Sequence, residues 1–275
     1  MKKAILVISF GTSYIEALKS SIERAEESIR NYFINYEVRR AFTAHRIIKK
    51  LNDKYGMDID APEDALEKLY NEGYEEVIMQ PLHIIPGEEF QYINKVRLQY
   101  EGKFNSLKLG RPIFYYQGVE GIPNDYSLFI DAVKNIFLDE EAVVMVGHGT
   151  ANPSNAVYGC LQSVLEDEGY NNIFVGTVEG YPTIETVIKR VKSKNINSVK
   201  LIPLMLVAGD HTLNDISSDD EGSWKSMLEK AGIEVKTYPH GLGELDSFNK
   251  LYITRIEDII EGRYISIGET KKGHR

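Results

Sequence analysis

Three residues in the second half of the chain are of the types that hold a borderline divalent metal, and each follows an apolar run. His148 stands between two glycines after 143-VVMVG-147, Glu179 comes just after 173-IFVGT-177, and His211 closes the stretch 203-PLMLVAGDH-211. Two imidazoles and a carboxylate suit Co, Fe, Ni or Zn. Three protein ligands would leave coordination positions open, so that a metal could be handed on rather than trapped. Spacing alone also fits a blander account: Gly-His-Gly is commonly a turn carrying a polar residue, and a lone glutamate after a strand is commonly a solvated one.

The first half holds a second set of candidates. The loop 9-SFGTS-13 follows an apolar run. Its glycine would let backbone approach a ligand, and helix-start amides could point outward, making Phe10, Gly11, Thr12 and Ser13 a weak anion cradle. It lacks the Walker lysine and the dinucleotide glycine spacing. A tight turn in which Ser13 caps a helix, with Glu16 completing a capping box, explains the same residues. Glu88 and Glu89 after 81-PLHIIPG-87 read either as reactive acids or as first-turn acids complementing a helix dipole. His83 lies in an apolar stretch and reads as a hydrogen-bonded core histidine. His45, His240 and His274 form no constellation.

The elements that must position these residues alternate. Apolar strand-like runs at 4–9, 36–43, 76–80, 142–147, 172–177, 198–203 and 233–238 are separated by segments of helical period, such as Leu18, Ile22, Ala25, Ile29 and Phe33. Pro62 and Pro182 read as helix openers, and Phe248, Tyr252, Ile256, Ile259 and Ile260 mark a closing amphipathic helix. Strand–helix alternation with near-continuous apolar strands predicts an α/β fold with parallel sheets flanked by helices.

The chain also repeats itself. The string 9-SFGT-12 aligns with 147-GHGT-150, and 81-PLHIIPGEE-89 aligns with 203-PLMLVAGDH-211. Phe10 then corresponds to His148, and Glu89 to His211. Two similar lobes related by internal duplication are predicted: 1–125, and 126–262 with the metal site. Residues 263–275 read as a tail without clear pattern, a candidate for disorder. Ligands of open α/β sheets bind outside the carboxyl ends of the strands, where every matched motif falls.

Composition narrows the partners. A net charge of −9 argues against a nucleic-acid footprint. The single cysteine, Cys160, can form no internal disulfide and reads as a small buried hydrophobe, which suits a reducing, cytoplasmic setting. The start MKKAILVISFG has basic and apolar parts but no cleavage site, and no apolar run is long enough to span a bilayer. No membrane partner is expected, and a homo-oligomer is neither required nor excluded.

The strings 8-ISFGTSY-14, 41-AFT-43, 82-LHII-85, 147-GHG-149, 178-VEGYP-182 and 203-PLMLVAGDHTLNDISSDD-220, with Ser223, Trp224 and Lys225, resemble the anaerobic sirohydrochlorin cobaltochelatases of the CbiK type. Pro81, Pro86, Thr150 and Gly180 depart from that pattern, but none replaces a proposed ligand. The resemblance implies a chelatase fold of two α/β lobes with a tetrapyrrole in the cleft. It implies an ATP-independent lyase of cobalamin biosynthesis that inserts Co2+ into sirohydrochlorin, without a prosthetic group. It assigns His148, Glu179 and His211 to the metal, and Glu89 and the loop Phe10, Gly11, Thr12, Ser13 to the substrate side. His148 is expected as ligand and proton acceptor, and Glu89 as a second acceptor. Fe2+ or Ni2+ on the same tetrapyrrole, or a non-catalytic tetrapyrrole or metal carrier, are the alternatives. Sirohydrochlorin carries eight carboxylates, and Arg39, Arg40 or Arg46, near a strand end, would offset them.

Overall fold

The structure, a computed structural model, describes residues 1–137, 140–209 and 212–267. Two compact units form: residues 1–115 with 249–275, and residues 116–248. In the first unit, β1 (Lys2–Ser9) leads to α1 (Ile15–Ala17), which continues through a π-helical turn at Leu18–Glu23 into α2 (Arg24–Tyr32). Then come β2 (Glu37–Phe42), α3 (His45–Tyr55), α4 (Pro62–Asn71), β3 (Tyr74–Pro81), α5 (Glu88–Tyr100) and β4 (Ser106–Leu109). The second unit holds α6 (Asp125–Val133), β5 (Val143–Gly147), α7 (Ala156–Asp167), β6 (Ile173–Thr177), α8 (Ile184–Ser193), β7 (Ser198–Pro203), α9 (Trp224–Lys230) and β8 (Glu234–Thr237). The last helix, α10 (Asp246–Ile260), begins in the second unit and ends in the first.

Each unit has one four-stranded, all-parallel sheet. The orders are β2-β1-β3-β4 and β6-β5-β7-β8, the same path traced twice. Every residue of β5 and β6 is buried, as expected of parallel strands covered on both faces. In the second unit Val144, Phe174, Val187, Leu201 and Trp224 pack into one core. Gly176 in β6 has no Cβ because the Trp224 ring fills that space.

The repeat extends to single hydrogen bonds. Leu82 N donates to Ile8 O and Leu204 N to Val146 O, both at 2.7 Å. Thr43 N donates to Ser9 O, and Val178 N to Gly147 O. Ala44 N donates to Phe10 O, and Glu179 N to His148 O. Matching bonds therefore pair Phe10 with His148, Ala44 with Glu179, and the exit of β3 with that of β7.

Several expectations shift. The lobe boundary expected after residue 125 falls inside the second unit, at a closed turn: Gly118 N donates to Pro123 O, Asp125 N to Tyr116 O, and Asn124 caps α6. The first unit ends ten residues earlier than 125, and α10 returns to it. The buried Arg255 guanidinium donates to Pro112 O and Ile113 O, Arg111 pairs with Asp258 at 2.7 Å, and Tyr252 OH donates to Leu82 O. Such non-local bonds leave no trace in local periodicity. Residues 263–267 pack onto the first unit, with Ile267 buried and Tyr264 beside Arg111; the rest of the tail lies outside the described residues. Ser13 does not cap α1, whose N-cap position is Tyr14, without a side-chain cap bond to the helix; Thr12 Oγ1 instead accepts from Tyr14 N. Pro182 does not open α8; Thr183 is its N-cap, the hydroxyl accepting from Thr186 N. Strand β4 and helix α6 were not singled out by periodicity. Among the described residues no helix is long and apolar enough to cross a membrane.

Candidate functional site

His148 and Glu179 meet at the carboxyl ends of adjacent strands β5 and β6. Their loops are joined through the backbone, Glu179 N donating to His148 O at 2.7 Å. Gly149 turns the first loop with φ +82°, and a Cβ there would stand 2.7 Å from Gly180 N and 2.9 Å from the Glu179 carbonyl carbon. Only glycine combines a positive φ with so close an approach. Gly147 likewise leaves room for the Tyr158 ring. The Tyr158 hydroxyl accepts from Gly149 N at 3.3 Å, and burial pushes its phenol up to about 12, so it stays protonated. Sequence reasoning missed Tyr158; its only local signal is a tyrosine on the apolar face of a helix.

The His148 ring nitrogen Nδ1 lies 3.0 Å from Gly149 O and 3.8 Å from Glu179 Oε2. A carbonyl can only accept, so Nδ1 is the donor in the contact with Gly149 O. Both side chains are accessible, His148 at 44% and Glu179 at 60%. In this geometry the carboxylate lies on the Nδ1 side of the imidazole. For Glu179 to share an ion with Nε2, its carboxylate must rotate, which its exposure permits. The third expected ligand, His211, lies outside the described residues, as does Asp210. Among the described residues no three His, Cys, Asp or Glu side chains form a group able to hold a metal ion.

The first unit presents the equivalent edge with different chemistry. Gly11, φ +92°, leaves room for the Phe42 ring, whose Cδ2 would lie 2.5 Å from an added Cβ. Phe10, the counterpart of His148, is half exposed; Thr12 is buried and Ser13 partly so. Glu89 stands partly exposed in the first turn of α5, after the N-cap Gly87. One turn on, Tyr92 OH donates to Glu63 Oε2, and burial followed by that bond raises its phenol pKa.

His83 is not hydrogen-bonded as expected: both ring nitrogens are shielded from solvent and have no partner among the described residues, and desolvation lowers its pKa to about 4. Of the three arginines proposed to offset substrate charge, Arg39 is held by Glu37 and Glu72, and Arg40 by Glu23 and Glu26. Arg46 is exposed and lines a shallow basic groove with Lys49, Lys50 and Lys54. Cys160 is a free thiol, partly rather than fully buried.

The family model described as Cobalt chelatase (CbiK) matches residues 3–261. The chain belongs to the CbiK cobalt chelatase family. It is 36% identical to a sirohydrochlorin cobaltochelatase of Salmonella typhimurium, across 94% of this chain and 97% of that one. It is 27% identical to the sirohydrochlorin cobaltochelatase CbiKC of Nitratidesulfovibrio vulgaris, across 93% and 89%. Among solved structures, SirB from Bacillus subtilis with Fe3+ superposes with a TM-score of 0.63 at 14% identity, covering 96% of this chain and 99% of that one. That likeness concerns the fold, two α/β lobes with parallel sheets.

Proposed function

We propose that this member of the CbiK family is an ATP-independent chelatase that inserts Co2+ into sirohydrochlorin. The observation that carries the reading is the adjacency of His148 and Glu179 on two neighbouring strand-exit loops, in a chain matched by the family model over residues 3–261. Chelation exchanges two pyrrolic protons for one divalent cation. A protein that catalyses it must hold the metal loosely and accept protons near neutral pH. His148 serves both needs in sequence: it delivers the ion and then takes a proton. Glu179 steadies the imidazole and joins the ion by rotating its carboxylate. His211 is the third ligand by family resemblance, matched in the repeat by Glu89, a second proton acceptor on the substrate side. In this reading the half-exposed Phe10 and its loop, with Gly11 and Ser13 partly exposed and Thr12 buried, belong to the substrate side, and Arg46 is the arginine left to meet the carboxylates. Supply rather than ligand type decides among Co2+, Fe2+ and Ni2+.

The test is an oxygen-free absorbance assay with sirohydrochlorin and each metal at substoichiometric protein. Multiple turnovers with Co2+ are expected, and H148A should lower the rate by a factor on the order of 100 or more. Stoichiometric binding without turnover would make the protein a carrier. A folded H148A variant with full activity would remove the proposed site.

A further inference from the structure

We infer that Asn155 is a positioning residue for the His148–Glu179 pair, its one carboxamide fastening both loops that carry them. Asn155 Oδ1 accepts from Thr150 N at 3.1 Å, two residues past His148. Asn155 Nδ2 donates to Tyr181 O at 2.7 Å, two residues past Glu179. The two bonds also determine the orientation of the amide, because only its oxygen can accept and only its nitrogen can donate.

Packing of the functional side chains holds the loops only in part, since Glu179 is exposed and His148 is partly so. Their spacing must also come from the backbone and from whatever grips it. Asn155 is itself anchored: it ends the short turn Pro153–Asn155, where Asn152 Oδ1 accepts from Ser154 N and Asn152 N donates to Thr150 Oγ1. Gly180 completes the fit, because a Cβ there would overlap Asn155 Oδ1. At the equivalent edge of the first unit the matching positions are Phe10 and Ala44, neither of which can bind a metal, so no such spacing is needed there. A group that grips the backbone on each side of a ligand pair acts as outer partners of metal ligands do, and losing such a partner typically costs ten- to a hundredfold in affinity.

The inference rests on the His148–Glu179 reading, and the experiment separates the two. Co2+ affinity is measured without sirohydrochlorin, by calorimetric titration and by the d–d absorption of bound Co2+, in wild type, N155A, G180A, N155A/G180A and H148A. N155A is expected to weaken Co2+ binding about tenfold or more and to shift the absorption band, with thermal midpoint nearly unchanged. G180A, which presses on the same amide while leaving it in place, should do likewise, and it carries the test if N155A folds poorly. In the N155A background G180A should add little, because the overlap with the amide is gone and only the approach to Thr177 Oγ1, 3.1 Å, remains. If N155A and G180A both bind Co2+ as wild type does while H148A does not, the positioning role is overturned. If H148A also binds normally, the metal site itself is misassigned.

Discussion

Replacing Gly149 with alanine tests the close approach that brings the His148 and Glu179 loops together. The backbone there has φ +82°, which an L-residue adopts at a cost of about 1–2 kcal/mol. The new Cβ would meet Gly180 N at 2.7 Å, and the Glu179 carbonyl carbon and Thr177 Cβ each at 2.9 Å. None of these is the end of a flexible chain, so relief requires moving the exit of β6. Forced overpacking of this kind costs about 1–3 kcal/mol. The sum is roughly 2–5 kcal/mol. Gly232, φ +80°, is the matched control, for nothing lies within 4 Å of its would-be Cβ. G232A should show only the conformational part, about 1–2 kcal/mol. Urea unfolding followed by the fluorescence of Trp224, the single tryptophan, reports on the second unit, in whose core it is buried. G149A should unfold at the lower urea concentration with an unchanged slope, and should lose chelatase turnover as Glu179 shifts. Equal midpoints for the two variants would refute the steric argument.

Other outcomes follow from burial. His83, lowered from 6.5 to about 4 by desolvation, binds a proton more readily unfolded than folded. Its contribution to stability is intact above pH 6.5 and erodes as pH falls toward 4, by up to about 3 kcal/mol in all. H83L, which removes two unpartnered nitrogens, should flatten that stretch of a stability–pH curve measured by far-UV circular dichroism; an unaltered slope would contradict the assignment. D258A takes the carboxylate from the buried Arg111 guanidinium and from Arg263 and should cost about 3–5 kcal/mol in urea unfolding, whereas a loss below about 1 kcal/mol would show that these pairs do not hold α10 in place.

Much of the architecture was legible because parallel strands buried on both faces must be apolar almost throughout. The runs at 4–9 and 142–147 therefore announce β1 and β5 without any partner in view. The repeated strings 9-SFGT-12 and 147-GHGT-150 announced the duplication, because both matched exits, after β1 and after β5, turn at a positive-φ glycine, Gly11 and Gly149. Residue types likewise marked His148 and Glu179. Tertiary structure alone decided what lies across space. Arg39 and Arg40 are spent on glutamates of neighbouring elements, a fact invisible in a basic dipeptide. The short strand β4 owes its place to pairing with β3, and α10 owes its place to Arg255 reaching Pro112 and Ile113, more than 140 residues away in the chain. His83 lost the partner that its setting suggested, because hydrogen bonding depends on which groups the fold brings within 3.5 Å rather than on sequence neighbours. The grip of Asn155 on two loops belongs to the same class: local pattern sets which elements form, while side-chain bonds between distant segments are settled only when those elements pack.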